Sequence, residues 1–277
     1  MTFSVNTNTG ALVALQYLNA TQAQLNQTQN AINSGLKVAS ARDDGATYAI
    51  AQNQRGSIAG YGSVVDSLNR GSSAIDVALS AGQSISDLLI QLKTKALSAS
   101  DSSLDTSSRE ALNQDFTALR DQITTIVQNA IFNGINLVDG STFQITALAA
   151  SDGSRRITAA AQNLSLGSTA GIVTLTATDT ISTQAQASTL IATIQTSLTN
   201  VNSALAKLSA GAKKFSIQST FSQKLADTLT DGLGHLVDAD LARESALLQS
   251  LQVKQQLGVQ ALAIANQAPQ TILSLFR

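Results

Sequence analysis

Apolar residues recur along much of the chain in steps of three and four, the spacing that places them on one face of an α-helix. The longest run lies in 64–99, and two similar runs lie in 112–130 and 187–215. The first run consists of Val64, Leu68, Gly71, Ile75, Ala78, Gly82, Ile85, Leu89, Leu92, Ala96 and Ala99. Alternating steps of four and three are typical of a coiled-coil seam, and small residues in it allow close helix approach. We therefore predict three long helices that bury one another.

Weaker seams of the same period lie at both ends of the chain. The N-terminal seam consists of Leu18, Leu25, Ile32 and Ala39. The C-terminal seam consists of Leu241, Leu248, Leu251 and Leu262. The run in 187–215 changes phase near Ser216 and continues through Phe221, Leu225 and Leu229. These patterns predict one further helix at each end of the chain.

Two stretches between the seams contain helix-stop and turn residues. Residues 98–110 are rich in Ser and Asp, and Thr106 or Ser107 fits an N-cap with Glu110 near the third helical position. Asn-Gly and Asp-Gly dipeptides in 133–140 favour tight turns. The helices are therefore predicted to end before these stretches and to resume after them.

Between about 142 and 180 the pattern changes to alternating polar and apolar residues. The segments "TFQIT", "RRITAAA" and "GIVTLTAT" alternate in this way, and glycines separate them. Strict alternation indicates short β-strands or hairpins. The predicted order is three helices, a small β region and two helices. The fold class is mainly α, a long antiparallel coiled-coil helical bundle with a small β-hairpin region.

Charge is absent from both ends of the chain. The first charged side chain is Lys37, and none lies between Lys254 and Arg277. Burying a charge is costly unless it is paired, whereas amides and hydroxyls find hydrogen-bond partners among their neighbours. We therefore predict that the two ends pair in one coiled coil, associate with copies of the chain and become helical only there. The predicted assembly residues are Leu18, Leu25, Ile32, Leu36, Leu241, Leu248, Leu251, Gln255, Leu262 and Pro269.

Composition argues against most site chemistry. The chain has no Cys, which excludes disulfides and thiolate metal sites. It has only one His, which disfavours a histidine-rich zinc site. The net charge of −1 gives no basic patch for nucleic acid. No secretory signal peptide or membrane span is predicted. The carboxylate pairs Asp43-Asp44 and Asp238/Asp240 fit a charged loop and a solvated helix better than a catalytic site, so we predict no enzyme and no cofactor.

Three segments resemble bacterial flagellin. The segment "LNQTQNAINSGLKVASARDDGATYAIAQNQR" in 25–55 is similar to that family's N-terminal signature. The segment "NAIFNGINLVDGS" in 129–141 is similar to the family's Phe-Asn-Gly segment. The segment in 238–276, with its Ala-Asn-Gln-x-Pro-Gln ending, is similar to the family's C-terminal helix. The resemblance extends over essentially the whole chain.

The resemblance implies a structural subunit of a secreted, extracellular flagellar filament for swimming, exported unfolded through a flagellar type III apparatus. Its partners would be other copies, hook-associated proteins, a filament cap and an export chaperone. Residues 1–40 and 236–277 would form the inner-tube domain, and 41–235 the outer helical domain, without further outer domains. Arg42, Asp43 and Asp44 would form a spoke-like turn.

Two alternatives remain open at the level of sequence. A flagellin-like hook–filament junction protein shares the terminal pattern, although its middle is usually longer. A signalling coiled coil shares the wealth of Ala, Ser and Gln, but it would have charged flanking positions along its full length. The uncharged ends count against that second alternative.

Overall fold

The computed structural model describes residues 7–168 and 171–274, and it describes side chains as far as residue 267. The elements follow the predicted order of three helices, a small β region and two helices. The helices are α1 (Thr9–Ser34), α2 (Gly45–Ala99), α3 (Thr106–Asn129), α4 (Gln184–Val237) and α5 (Leu241–Ser274). The strands are β1 (Ile131–Phe132), β2 (Ile135–Asn136), β3 (Gln144–Leu148) and β4 (Arg156–Ala160). The predicted mainly α fold is confirmed.

The chain divides into two compact units. Unit 1 contains Met1–Gly56 and Thr228–Arg277, and unit 2 contains Ser57–Asp227. Unit 1 therefore contains α1, α5, the first turns of α2 and the last turns of α4. Unit 2 holds most of α2 and α4, all of α3 and both hairpins.

The core of unit 2 lies between α2, α3 and α4. The two longest helices run antiparallel, because Phe215 lies against Gly71 and Leu205 against Gly82. A Cβ added at Gly82 would lie 2.6 Å from Leu205 Cδ2, so glycine is what permits this close approach. Further along, Lys93 Nζ donates to Gln195 Oε1 at 2.5 Å. The small residues in the predicted seam therefore act as expected.

The predicted seam of α2 is confirmed residue by residue. Every one of its positions from Val64 to Ala99 is buried. In α3, Phe116 and Ile123 are fully buried, and in α4 so are Ile194, Val201 and Phe215. These residues form one continuous apolar cluster.

The predicted phase change in α4 is wrong. Phe221 is 56% exposed, whereas Ser222 is fully buried. The seam continues from Phe215 through Gln218 and Ser222 to Leu225 without a slip. Polar residues occupy two of these positions, so an apolar pattern alone cannot follow the seam through them.

The β region consists of two antiparallel hairpins. In the first, Phe132 pairs with Ile135, and both turn residues have positive φ, 52° at Asn133 and 81° at Gly134. This is the backbone that a two-residue hairpin turn requires. In the second, β3 pairs with β4 from Gln144↔Ala160 to Leu148↔Arg156. Two of the three predicted strand segments are thus confirmed.

The third predicted strand, "GIVTLTAT", is wrong within its described residues. Val173 and Leu175 are buried, but no ladder forms in 171–178. Instead the Thr174 N–H donates to Ser197 Oγ at 2.9 Å, and Thr174 Oγ1 donates to the Thr193 carbonyl. The segment alternates because one side packs on the core, while α4 supplies the hydrogen-bond partners of Thr174.

The start of α3 also differs from the prediction. Its N-cap is Asp105, whose carboxylate accepts from the Ser108 N–H at 2.9 Å, rather than Thr106 or Ser107. A carboxylate at this position accepts the orphan amide and suits the positive end of the helix dipole. The first predicted seam also ends early, because α1 stops at Ser34 and Gly35 follows with φ of 72°. Ala39 consequently lies outside the helix and is exposed.

Candidate assembly surface

The predicted pairing of the terminal segments is confirmed in unit 1. The helices α1 and α5 run antiparallel, and Asn8 Nδ2 donates to the Ala265 carbonyl at 2.7 Å near one end of the pair. Gln255 Nε2 donates to Gln22 Oε1 at 2.6 Å midway. At the other end the Ala239 N–H donates to the Gly35 carbonyl at 2.9 Å.

The two helices face one another with a narrow and partly polar stripe. In α1 only Leu25 and Thr28 are buried, and in α5 Leu251 is 1% exposed. The half-buried α1 positions are Ala11, Ala14, Leu18, Thr21, Gln22, Ala31 and Ile32. The half-buried α5 positions are Glu244, Leu248, Gln255, Gly258, Leu262 and Ala265. The pair therefore buries few large apolar side chains.

The predicted assembly residues fall into three groups. Leu25 and Leu251 are buried between α1 and α5. Six are half-buried: Leu18, Ile32, Leu248, Gln255 and Leu262 lie on the two helices, and Leu36, after the end of α1, packs against Val38, Ala51 and Val237. Leu241 is 50% exposed at the start of α5, and Pro269 lies outside the described side chains. Most of the predicted set thus joins the two helices to each other.

Large apolar side chains on the outside of this pair were missed from the sequence. On α1 they are Leu12, Val13, Leu15 and Tyr17. On α5 they are Leu247, Val253, Leu257, Val259 and Ile264. Tyr17 is 72% exposed and Ile264 69%. We call these nine residues the outer apolar face.

The available signal for this face was the run "ALVALQYL", which is apolar on all sides of its helix. A helix that is apolar all round is normally buried on all sides. Large exposed apolar patches on soluble chains mark interaction surfaces. The absence of charge in α1 fits the same conclusion, because a contacting copy would not have to desolvate an ion.

The segment between α1 and α2 is a turn held by two carboxylates. Asp43 accepts from the Ser40 N–H at 2.9 Å, the Ser40 hydroxyl at 3.1 Å and the Ala39 N–H at 3.1 Å. Asp44 accepts from the Thr47 hydroxyl at 2.6 Å and from the amides of Thr47 and Ala46.

These hydrogen bonds also set the ionisation of the turn. The Ser40 backbone and hydroxyl hold the pKa of Asp43 below its usual range. The Thr47 hydroxyl and backbone do the same for the pKa of Asp44. Both carboxylates therefore remain charged at neutral pH, and Asp44 caps the start of α2. Arg42, which directly precedes Asp43, is exposed.

The described residues show little that resembles a catalytic or metal centre. Among residues 7–168 and 171–274, no three His, Cys, Asp or Glu side chains are grouped as a metal site would require. Within the same part of the chain, no helix has the length and apolar character that a membrane crossing needs. The outer apolar face is thus the strongest candidate for a functional surface.

Comparison with known proteins identifies the family of the chain. Residues 5–142 match the model of the bacterial flagellin N-terminal helical region. Residues 191–276 match the model of the bacterial flagellin C-terminal helical region. The two matches lie on either side of β3, β4 and the segment that follows them.

Full-length relatives agree with these matches. Flagellin FljM of Caulobacter vibrioides is 53% identical over 274 residues, covering 99% of this chain and 98% of the relative. Flagellin of Brucella melitensis is 34% identical over 291 residues, covering 99% of both chains. A crystal structure of Bacillus cereus flagellin has a TM-score of 0.48 and 20% identity, covering 55% of this chain and 86% of that one. The chain belongs to the bacterial flagellin family, whose members are the structural subunits of the flagellar filament.

Proposed function

We propose that the chain polymerises into the extracellular flagellar filament by packing the outer apolar face of one copy against its neighbours. The observation that carries this proposal is the exposure of nine large apolar side chains on two helices that bury few such residues between themselves. Family membership supports assembly into a filament. The outer apolar face is the surface through which copies would contact one another.

The energetics support assembly by this face. Fully burying a Leu, Val or Phe side chain stabilises by about 1.5–3 kcal/mol. A few such residues per contact, repeated by helical symmetry along the polymer, would offset the entropy lost on association. Because α1 contains no charged residue, the contact would not include the desolvation of an ion on that helix.

The remaining roles follow from family resemblance and belong to the same proposal. Residues 1–40 and 236–277 would form the inner-tube domain, and 41–235 the outer helical domain. Arg42, Asp43 and Asp44 would form a spoke-like turn. The predicted interface set from Leu18 to Pro269 would lie in or beside the tube. Hook-associated proteins, a filament cap and an export chaperone would be further partners, and the role would be structural rather than catalytic.

The test replaces apolar residues of the outer face by polar ones of similar size. In the variant Val13→Gln/Leu257→Gln both changed side chains are at least half exposed, so the monomer should keep its helix content and unfolding midpoint. The critical concentration for filament growth should rise at least about tenfold, since two buried apolar contacts are lost.

A matched control tests whether the same kind of change at an exposed apolar residue outside α1 and α5 has the same effect. Ile131 is 55% exposed on β1, outside α1 and α5, and Ile131→Gln should change the critical concentration by less than about twofold. Unchanged filament growth by the Val13→Gln/Leu257→Gln variant would show that the outer face does not join copies. Electron microscopy and sedimentation of polymer give both readouts.

A further inference from the structure

The first hairpin contains the only Asn-Gly dipeptide of the sequence. Asn133 and Gly134 form its turn, between the paired residues Phe132 and Ile135. Both turn residues are exposed. An asparagine followed by glycine favours attack of the backbone nitrogen on the side-chain amide, because glycine has no Cβ to shield that nitrogen. The turn is therefore the position in this chain where a spontaneous modification of the backbone is most favoured.

Neither reacting group of this dipeptide is held by a hydrogen bond. In the described part of the chain, the Asn133 side-chain amide and the Gly134 N–H have no hydrogen-bond partner. Apart from the adjoining residues, no described heavy atom lies within 4 Å of the place that a Cβ on Gly134 would occupy. The nitrogen of Gly134 is thus accessible.

Neighbouring side chains of similar chemistry are restrained. Asn136 Nδ2 donates to the Val127 carbonyl at 2.7 Å. Asp139, which also precedes a glycine, accepts from the Ser141 N–H at 2.8 Å and from its hydroxyl at 2.6 Å. Such bonds restrict the rotation that brings a side-chain carbonyl carbon to the next backbone nitrogen. Asn133 lacks this restraint.

The hairpin around the turn is short and poorly covered. Its strands have two residues each, and Ile131 is 55% exposed and Ile135 37%. Two-stranded hairpins are marginally stable by themselves, and segments of this kind open locally at little cost in free energy. Asn133 also lines a cavity of about 140 Å³ between α2 and the two hairpins, so its side chain has room to rotate.

Opening of the hairpin controls the reaction. With φ of 52° at Asn133 and 81° at Gly134, the closed turn has the backbone of a two-residue hairpin loop. Attack by the Gly134 nitrogen requires rotation about the bond between Cα and the carbonyl carbon of Asn133, and the closed turn opposes that rotation. We therefore expect the folded chain to react more slowly than the unfolded chain, but only by the small cost of opening this hairpin.

We propose that Asn133 deamidates spontaneously, so that the turn between β1 and β2 is a self-modification site. The Gly134 nitrogen forms a bond to the side-chain carbonyl carbon of Asn133, and the bond from that carbon to the amide nitrogen breaks. Ammonia leaves with the proton that the Gly134 nitrogen gives up. Water then opens the cyclic imide at one of its two carbonyls and returns a proton to the nitrogen. The product at position 133 is aspartate or isoaspartate.

The reaction changes the charge and the geometry of the turn. Each product has a carboxylate in place of a neutral amide. Arg70 lines the same cavity, and none of the lining residues, all of them described, is acidic, so the new charge has a cation nearby. Isoaspartate also adds a methylene group to the backbone, which disturbs the pairing of Phe132 with Ile135. The reaction needs one copy only and does not depend on the proposed filament function.

Peptide mapping by mass spectrometry tests the proposal on the folded parent chain. After incubation in mildly alkaline water labelled with heavy oxygen, the peptide that contains Asn133 should lose its side-chain amide nitrogen and gain one labelled oxygen. A methyltransferase specific for isoaspartate should methylate the same peptide. Asn202, which precedes the small residue Ser203 inside α4, is the matched internal control and should remain unmodified.

Unfolding in guanidinium chloride separates the reactivity of each dipeptide from the protection that the fold gives it. Unfolding should accelerate the reaction at Asn133 by about tenfold or less, and at Asn202 by at least about a hundredfold, because a long packed helix opens far less often than a short hairpin. Protection of Asn133 as strong as that of Asn202 would overturn the proposal. So would a folded chain in which Asn133 stays intact while the unfolded chain deamidates there.

The variant Gly134→Ala tests the chemical route. A Cβ shields the attacking nitrogen whether or not the chain is folded, so deamidation at Asn133 should slow several-fold in both states. The unfolded-state rate keeps this test valid even though φ of 81° disfavours alanine in the folded turn. The matched control Gly153→Ala, in the turn of the second hairpin, should leave the rate at Asn133 unchanged. Equal rates in Gly134→Ala and the parent chain would show that the Gly134 nitrogen is not the nucleophile, and the proposed function would be unaffected.

Discussion

The helices α1 and α3 have nearly the same length but bury very different amounts of side chain. The 26 residues of α1 bury Leu25 and Thr28, whereas the 24 residues of α3 bury Phe116, Arg120, Ile123 and Val127. The first helix belongs to a pair with exposed apolar residues on its outside. The second belongs to a three-helix core with one continuous apolar cluster.

The difference shows that unit 2 buries its large apolar side chains within one copy of the chain. The α1–α5 pair leaves many of its large apolar side chains exposed. Unit 2 buries large side chains against its own helices, so it has what a folded subunit needs. The α1–α5 pair has a stripe that Thr21, Gln22, Thr28 and Gln255 interrupt. Isolated helices of this kind are marginal in water, and most helical stability comes from tertiary packing. Under the proposed function, other copies supply the packing partners that the pair lacks.

The largest expected effect is on the core of unit 2. Phe116 is fully buried, and Phe116→Ala should lower the free energy of unfolding of the monomer by about 3–5 kcal/mol. The matched change Tyr17→Ala, on the 72% exposed tyrosine of α1, should lower it by less than about 0.5 kcal/mol. Urea unfolding of the two variants measures the contrast. Equal losses would mean that α1 is as well packed in the monomer as α3.

Hydrogen exchange should sharpen the comparison along the whole chain. Amides before about Ala41 and after about Val237 should exchange at least about a hundredfold faster in the monomer than those of the unit 2 core, because local opening requires less free energy there. Polymerisation should remove most of this difference. Strong protection of Leu18 to Ile32 in the monomer would show that the terminal helices do not need neighbouring copies.

A single charge added between α1 and α5 should have a moderate effect on the critical concentration for filament growth. Gln255→Glu places a carboxylate in a half-buried position opposite Gln22, whose amide can rotate to donate to it. The hydrogen bond is then kept, and the remaining penalty is that of a charge in a neutral surface. We expect the critical concentration to rise several-fold at pH 7 and to fall back once the carboxyl is protonated, near its ordinary pKa of about 4.3.

The control for this change is Gln83→Glu, at an exposed position of α2 in unit 2. It should leave the critical concentration near that of the parent chain. A similar rise in both variants would mean that the added charge acts through the whole polymer rather than at the position of Gln255.

The smallest expected effect is the pH response of the turn between α1 and α2. Hydrogen bonds from Thr47 lower the pKa of Asp44 in the folded chain, so ionised Asp44 stabilises the fold above its unfolded pKa of about 3.9. This contribution is lost as pH falls through the lower folded value. Asp44→Asn keeps an acceptor oxygen but does not titrate.

Thermal unfolding between pH 7 and pH 2 measures this response. The parent chain should be more stable than Asp44→Asn at neutral pH, and the difference should shrink as the pH falls below about 4. A difference that does not change with pH would show that the charge of Asp44 does not contribute to stability.

The sequence alone determined the helical seams and the special composition of the ends. The spacing of Val64 to Ala99 predicts one buried helix face because period and apolar character coincide at every position. The uncharged ends predict their pairing because matching compositions suit a common environment. Both inferences use local regularities that do not depend on long-range geometry.

The tertiary structure decided where those regularities stop. Ser222 and Ser197 are fully buried in the α4 seam, and only the position of α4 in the bundle shows that a small hydroxyl fits there. Val173 and Leu175 alternate like a strand, but the hydrogen-bond partners of Thr174 between them lie on α4, about twenty residues further along the chain. Leu12 and Leu257 are exposed because α1 and α5 cover only one side of each other. The seam predicts a contact face, whereas burial of the opposite face depends on which surfaces the fold brings near.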